Sequence, residues 1–175
     1  MDGFVFPNEA EIQWSLLIVL YPFITGLVAG AFVVSSLYHV FNIKSLKPVA
    51  SFSLLMALSF MLVAPLPLLA HLGRPERGIL IFLTPNFTSA MSGFGYIWLF
   101  YLILVLTETW LVFRPDIVFY AATSSGLKGL VYRTLTLGMG GMSEEDQRFR
   151  EKAIKVLAAV GIPSAALLQD RKSVV

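Results

Sequence analysis

The run Trp14–Phe41, WSLLIVLYPFITGLVAGAFVVSSLYHVF, contains no Asp, Glu, Lys or Arg. Crossing the hydrocarbon core of a bilayer takes about 20 helical residues. This run exceeds that length and is read as a membrane-spanning helix. Within it Gly26 and Gly30 form a G-x-x-x-G pair, and Ala29, Ser35 and Ser36 continue a strip of small residues. In lipid, small residues let helix backbones approach closely, so the strip is expected to be a packing seam.

Upstream, Met1–Glu11 carries Asp2, Glu9 and Glu11 but no Lys or Arg. A cleavable signal peptide has a positive n-region, so the first span is expected to be retained, after an external segment 1–13. Downstream, Lys44 and Lys47 form a short basic loop, and a second uncharged run extends from Val49 to Ala70. Pro65 and Pro67 lie in its last third, where each deletes a backbone donor and is expected to bend the helix. The cluster His71-Leu72-Gly73-Arg74-Pro75-Glu76-Arg77 follows directly. Ile79–Ala90, broken by Pro85 and Asn86, is too short to span and reads as a connecting or interfacial segment. A third span covers Met91–Phe113, closed by Arg114-Pro115, with Glu108 its one charged residue.

The fold expected is therefore all-α, a polytopic bundle with three spans inside 14–113 and a loop 71–90. Residues 114–142 read as a cytoplasmic loop, and 143–175 as an amphipathic helix leading into a truncated fourth span. Ser143 can cap that helix, with Asp146 at the reciprocal position. Its uncharged part, Val156–Leu168, falls short of a full crossing. Across 175 residues, 57% are hydrophobic and 14% charged, with a mean hydropathy of +0.76. Soluble domains carry about 45–50% apolar and 25% charged residues, so lipid is the solvent for much of this chain. The absence of cysteine excludes a disulfide framework and cysteine ligation of a metal or iron–sulfur cluster within the chain. A net charge of +2 makes no case for nucleic acid. Lys44, Lys47, Arg114, Lys128, Arg133, Arg148, Arg150 and Lys152 gather in the first and third loops, against Arg74 and Arg77 in the second. The positive-inside rule then places the N-terminus and the His71–Arg77 cluster outside, and the basic loops in the cytoplasm.

Two regions carry candidate chemistry. Haem would need two axial ligands converging on one iron. His39 and His71 sit at opposite ends of spans that rise about 30 Å, so no haem is expected. Toward the cytoplasmic side, Glu108 is an ionisable group inside a membrane helix, a costly placement that is functional by default. It reads as a proton-path carboxylate with Tyr38 and His39 as neighbours, or alternatively as a structural partner of Arg114. At the outer face, His71 supplies a group that exchanges protons near neutral pH, and Arg74 one that stabilises developing negative charge. Quinone chemistry needs such a pair beside an apolar slot. Taken alone, an Arg-Pro-x-Arg turn at a helix end is more often an interfacial anchor.

Three stretches resemble the NrfD family, the membrane subunits of polysulfide reductase-like respiratory complexes. They are Tyr21–Phe32 (YPFITGLVAGAF), Leu69–Arg77 (LAHLGRPER) and Thr84–Gly95 (TPNFTSAMSGFG). The likeness continues through Glu108 and Arg114 to Gly161-Ile162-Pro163. It implies a quinone-binding subunit (menaquinone or ubiquinone) in the bacterial cytoplasmic membrane, with no haem or metal of its own. It also implies electron exchange with a peripheral iron–sulfur protein, itself attached to a molybdopterin or multihaem cytochrome subunit. By motif, Arg74 is the family arginine, and His71 stands where many relatives have an acidic residue near the quinone. Ser89 and Ser92 are further quinone-site candidates. Family members have eight or more spans in two bundles, so this chain reads as an N-terminal half, or as a version that terminates early. Two other functions stay open from the residues: an anchor that holds partner subunits without quinone chemistry, and a proton- or ion-transporter fragment built on Glu108.

Overall fold

A computed structural model describes residues 16–71, 75–84, 90–138 and 143–170, with backbone only for 90–92 and 167–170. The first long apolar run forms α1, Leu16–His39. After a 3-10 turn at Lys44–Leu46 comes α2, Lys47–Val63, with Pro48 in its first turn, where a missing N–H costs nothing. The chain passes through Ala64 into α3, Pro65–His71. Pro65 and Pro67 thus divide the second span where the sequence placed a kink. A 3-10 turn, Pro75–Ile79, leads to the short α4, Leu80–Leu83. Then follow α5, Ala90–Thr123, α6, Gly126–Leu135, and α7, Glu144–Asp170. No strand occurs among the described residues. Three helical stretches are long and apolar enough to cross a membrane: Leu16–His39, Lys44–His71 and Gly93–Thr123. The chain is a multi-pass membrane protein.

Helices α1, α2, α5 and α7 form one bundle, with α7 seated against both α1 and α5. Its centre is apolar: Val28 and Phe32 of α1, Leu54, Ala57 and Met61 of α2, Tyr101, Leu104 and Val105 of α5, and Ala165 of α7. Phe32 and Tyr101 meet edge to face, their ring centroids 5.5 Å apart, a favoured aromatic arrangement. Tyr21 and Phe94 meet likewise at 5.6 Å, so α1 and α5 run in the same direction along the bundle.

Two expectations from sequence need correction. The segment from 114 onward is mostly helical rather than loop: α5 runs straight through Pro115, and α6 follows. Proline at 115 removes the donor that would bond the Leu111 carbonyl. Arg150 Nη1 donates to that oxygen instead, at a long 3.5 Å. A neighbouring helix has re-satisfied the freed group, and the helix need not stop. Gly30, the second glycine of the α1 pair, also does not face the interior. Gly30 is exposed, and a Cβ added there would meet nothing within 4 Å. The buried small residues of α1 are instead Thr25, Ser35 and Ser36.

The close approach falls instead on α7. Ile154, Ala158, Gly161 and Ala165 are buried at intervals of four, three and four, so one stripe faces α1 and α5. A Cβ at Gly161 would run into the Phe32 ring and lie 3.1 Å from Leu104 Cδ2. The start of α7 is capped as the sequence suggested. Asp146 N–H donates to Ser143 Oγ at 3.1 Å, while the Ser143 N–H and Oγ–H both donate to Asp146 Oδ2, at 3.2 and 2.9 Å.

Candidate functional site

His71 is the last residue of α3 and is exposed at one end of the bundle. Ala64 keeps helical angles, and α3 continues the span against α1 and carries His71 to the bundle's end. Glu76 and Arg77 are exposed in the 3-10 turn just beyond. Arg74 and Ser89 lie outside the described residues, as does the side chain of Ser92 in the first turn of α5. At this same end α4 rests on α5 because Gly95 is bare: a Cβ there would strike Ile81. Phe82 and Tyr96 close that contact at 6.2 Å.

At the opposite end, His39 closes α1 and is half-buried. Its Nδ1 lies 3.0 Å from the Ser35 carbonyl oxygen and 3.3 Å from Ser35 Oγ. A carbonyl only accepts, so Nδ1 carries the proton in that bond and Nε2 is left as the exchangeable site. The Tyr38 ring stands edge-on to the imidazole at 5.0 Å.

Glu108 is 0% exposed, and neither carboxyl oxygen has a hydrogen-bond partner. The alternative of a structural pair with Arg114 does not form. Arg114 folds back over the Trp110 ring, 5.2 Å from its centroid, and makes no ion pair among the described residues. Glu108 is seven residues past Tyr101, and His39 seven past Phe32. With that ring pair in contact and the helices parallel, both lie about 10 Å further toward the same end. The proton-path candidates therefore share one depth. Ser35 and Ser36, fully buried, lie about one turn of α1 before that depth.

Sequence reading missed a set of buried hydroxyl and indole groups on the other side of Glu108. Tyr21 Oη, Trp98 Nε1 and Tyr101 Oη are all buried with no hydrogen-bond partner. On α5 the positions 94, 98, 101, 105 and 108 follow helical spacing along one face. Polar groups thus recur from the His71 end down to Glu108. The signal was present as that period in Phe94, Trp98, Tyr101 and Glu108, hidden because aromatic residues count as apolar in a hydropathy window.

The family model described as polysulphide reductase, NrfD, matches residues 5–170. The C subunit of the selenate reductase of Mesobacillus selenatarsenatis is 33% identical over 160 residues, covering 87% of this chain and 37% of that protein. A protein of Halobacterium salinarum, provisionally named as the membrane (C) subunit of a dimethyl sulfoxide reductase, is 33% identical over 106 residues, 60% of this chain and 24% of its own. The chain thus spans well under half the length of these relatives. No solved structure gives a significant match. A match over nearly the whole chain, on a bundle of membrane-length helices, places this protein in the NrfD family.

Proposed function

We propose that the chain is the quinone-interacting part of a membrane subunit in a respiratory reductase complex. The observation that carries the reading is the divided second span. Pro65 and Pro67 end α2 early, and α3 delivers His71 to the end of an otherwise apolar bundle. In the sequence, its titratable imidazole stands three residues before the guanidinium of Arg74. Reduction of a quinone consumes two electrons and two protons, and oxidation of the quinol releases them. His71 is suited to exchange the protons and Arg74 to stabilise charge on the ring oxygens. The electrons would pass to or from a peripheral iron–sulfur subunit docked at that face, since a chain without cysteine cannot bind such a cluster by thiolate. The relatives named as reductase subunits support membership of such a complex. Basic loops at the His39 end support a reading in which the His71 end faces outward from the bacterial cytoplasmic membrane. Glu108 and His39, at one depth, would then take protons on the other side of the bundle.

The test is turnover with quinol or quinone in the complex purified with its partner subunits. His71→Ala and Arg74→Ala should each lower it, by roughly 10²-fold for loss of a proton-exchanging group. The iron–sulfur partner should remain bound in both. Unchanged turnover would favour a pure anchor.

A further inference from the structure

At the His39 end, two arginines from different helices reach the same turn of α5, and among the described residues neither is in an ion pair. Arg114 is only 8% exposed, and its Nε has no partner. Its guanidinium reaches back one turn to lie 5.2 Å from the centre of the Trp110 ring. Arg150, half-buried, crosses from α7 so that Nη1 meets the Leu111 carbonyl, and its Nε is likewise buried and unpartnered. The platform beneath Arg114 is fixed, because Trp110 Nε1 donates to the Leu135 carbonyl of α6 at 2.8 Å. None of the acids nearby forms a salt bridge with either arginine among the described residues. Asp146, the acid whose charge Arg114 feels, takes its hydrogen bonds from Ser143, and Glu108 points into the bundle core six residues earlier on α5. Asp116 and Glu151 are exposed.

Guanidinium groups brought to one helical turn repel each other, and an anion bound near both relieves that repulsion. Planar guanidinium forks match the paired oxygens of a phosphate better than any other biological anion bar a carboxylate. The end of α1 at His39 and the Lys44–Lys47 turn set this pair at the bundle's rim, the depth of lipid headgroups. Leu127, Leu130 and Phe149 are exposed on the adjoining α6 and α7. We propose that Arg114 and Arg150, over Trp110, form a binding site for a phosphate group, that of an anionic phospholipid or of free phosphate. The site is independent of the quinone reading.

The full chain, delipidated in neutral detergent, is titrated with phosphatidylglycerol, with phosphatidylcholine and with inorganic phosphate, and occupancy is read by native mass spectrometry. One phosphatidylglycerol should bind about tenfold or more tightly than phosphatidylcholine. The selectivity should vanish in Arg114→Gln/Arg150→Gln and survive in Lys44→Gln/Lys47→Gln. Displacement by millimolar inorganic phosphate identifies free phosphate as the ligand, and resistance to it identifies the lipid. Equal uptake of the two lipids with no uptake of phosphate by the unsubstituted chain overturns the proposal, whether or not the variants fold. So does selectivity that outlasts loss of both arginines.

Discussion

Glu108 sits in the bundle with both oxygens lacking a hydrogen-bond partner, which is an unusual state for a carboxyl group. A charge broken out of a buried ion pair costs roughly 3–5 kcal/mol, but there is no pair here to break. Glu108→Gln should therefore leave the thermal midpoint of the purified protein unchanged or raised. A clear drop would mean that Glu108 has a partner the structure does not provide. Loss of proton uptake during turnover in the same variant would assign it to the path. Asp146 is the contrasting acid. Hydrogen bonds from Ser143 hold its carboxyl below the usual carboxylate range, so its ionised form is favoured in the folded helix. That contribution is fully present above its unfolded pKa, near 4, and disappears as pH falls through the lower folded value. Ser143→Ala should move the Asp146 titration upward, as followed by NMR of the carboxyl carbon, and should fray the first turn of α7. An unmoved titration would discount the capping arrangement.

Among the elements, α7 depends on one residue. Gly161 lies where a side chain would meet Phe32, so α7 can reach α1 and α5 only because that position is bare. Gly161→Ala should cost about 1–3 kcal/mol in thermal unfolding, the range for overpacking a filled core. Much of that loss should be recovered in a Phe32→Leu background, because the two residues share the space. Additive losses would place the clash elsewhere. The first three spans were legible because each is a long run without charge. The last helix was legible as an amphipathic one, because Glu144–Lys155 supply a charged first half and the apolar remainder buries a stripe. The extension of α5 past Arg114-Pro115 was hidden. Proline reads as a stop until a donor for the Leu111 carbonyl is found on α7, far away in sequence. Ser143 and Asp146, by contrast, were readable because a cap is decided within four residues. At the candidate site, the opposed positions of His71 and His39 followed from spacing alone. The common depth of Glu108 and His39 needed the packing of α1 on α5.

The whole molecule is a bundle with two chemically different ends. One carries His71 after a proline-divided span, and the other carries His39, the Lys44–Lys47 turn and the two arginines of α5 and α7. Between these ends, Trp98, Tyr101 and Glu108 set buried polar groups along one face of α5. That polarity suits a protein which handles a lipid-soluble carrier at one surface and protons at the other. Many side chains on the outer faces of the spanning helices, such as Phe23, Phe52 and Phe100, are exposed and apolar, as lipid contact requires. The central claim concerns which end receives the carrier. A photoreactive azidoquinone, crosslinked to the purified complex and located by peptide mass spectrometry, addresses it directly. Label should appear on residues 65–95, fall with excess unlabelled quinone, and be lost in His71→Ala/Arg74→Ala. Displaceable label confined to the His39 end would contradict the account.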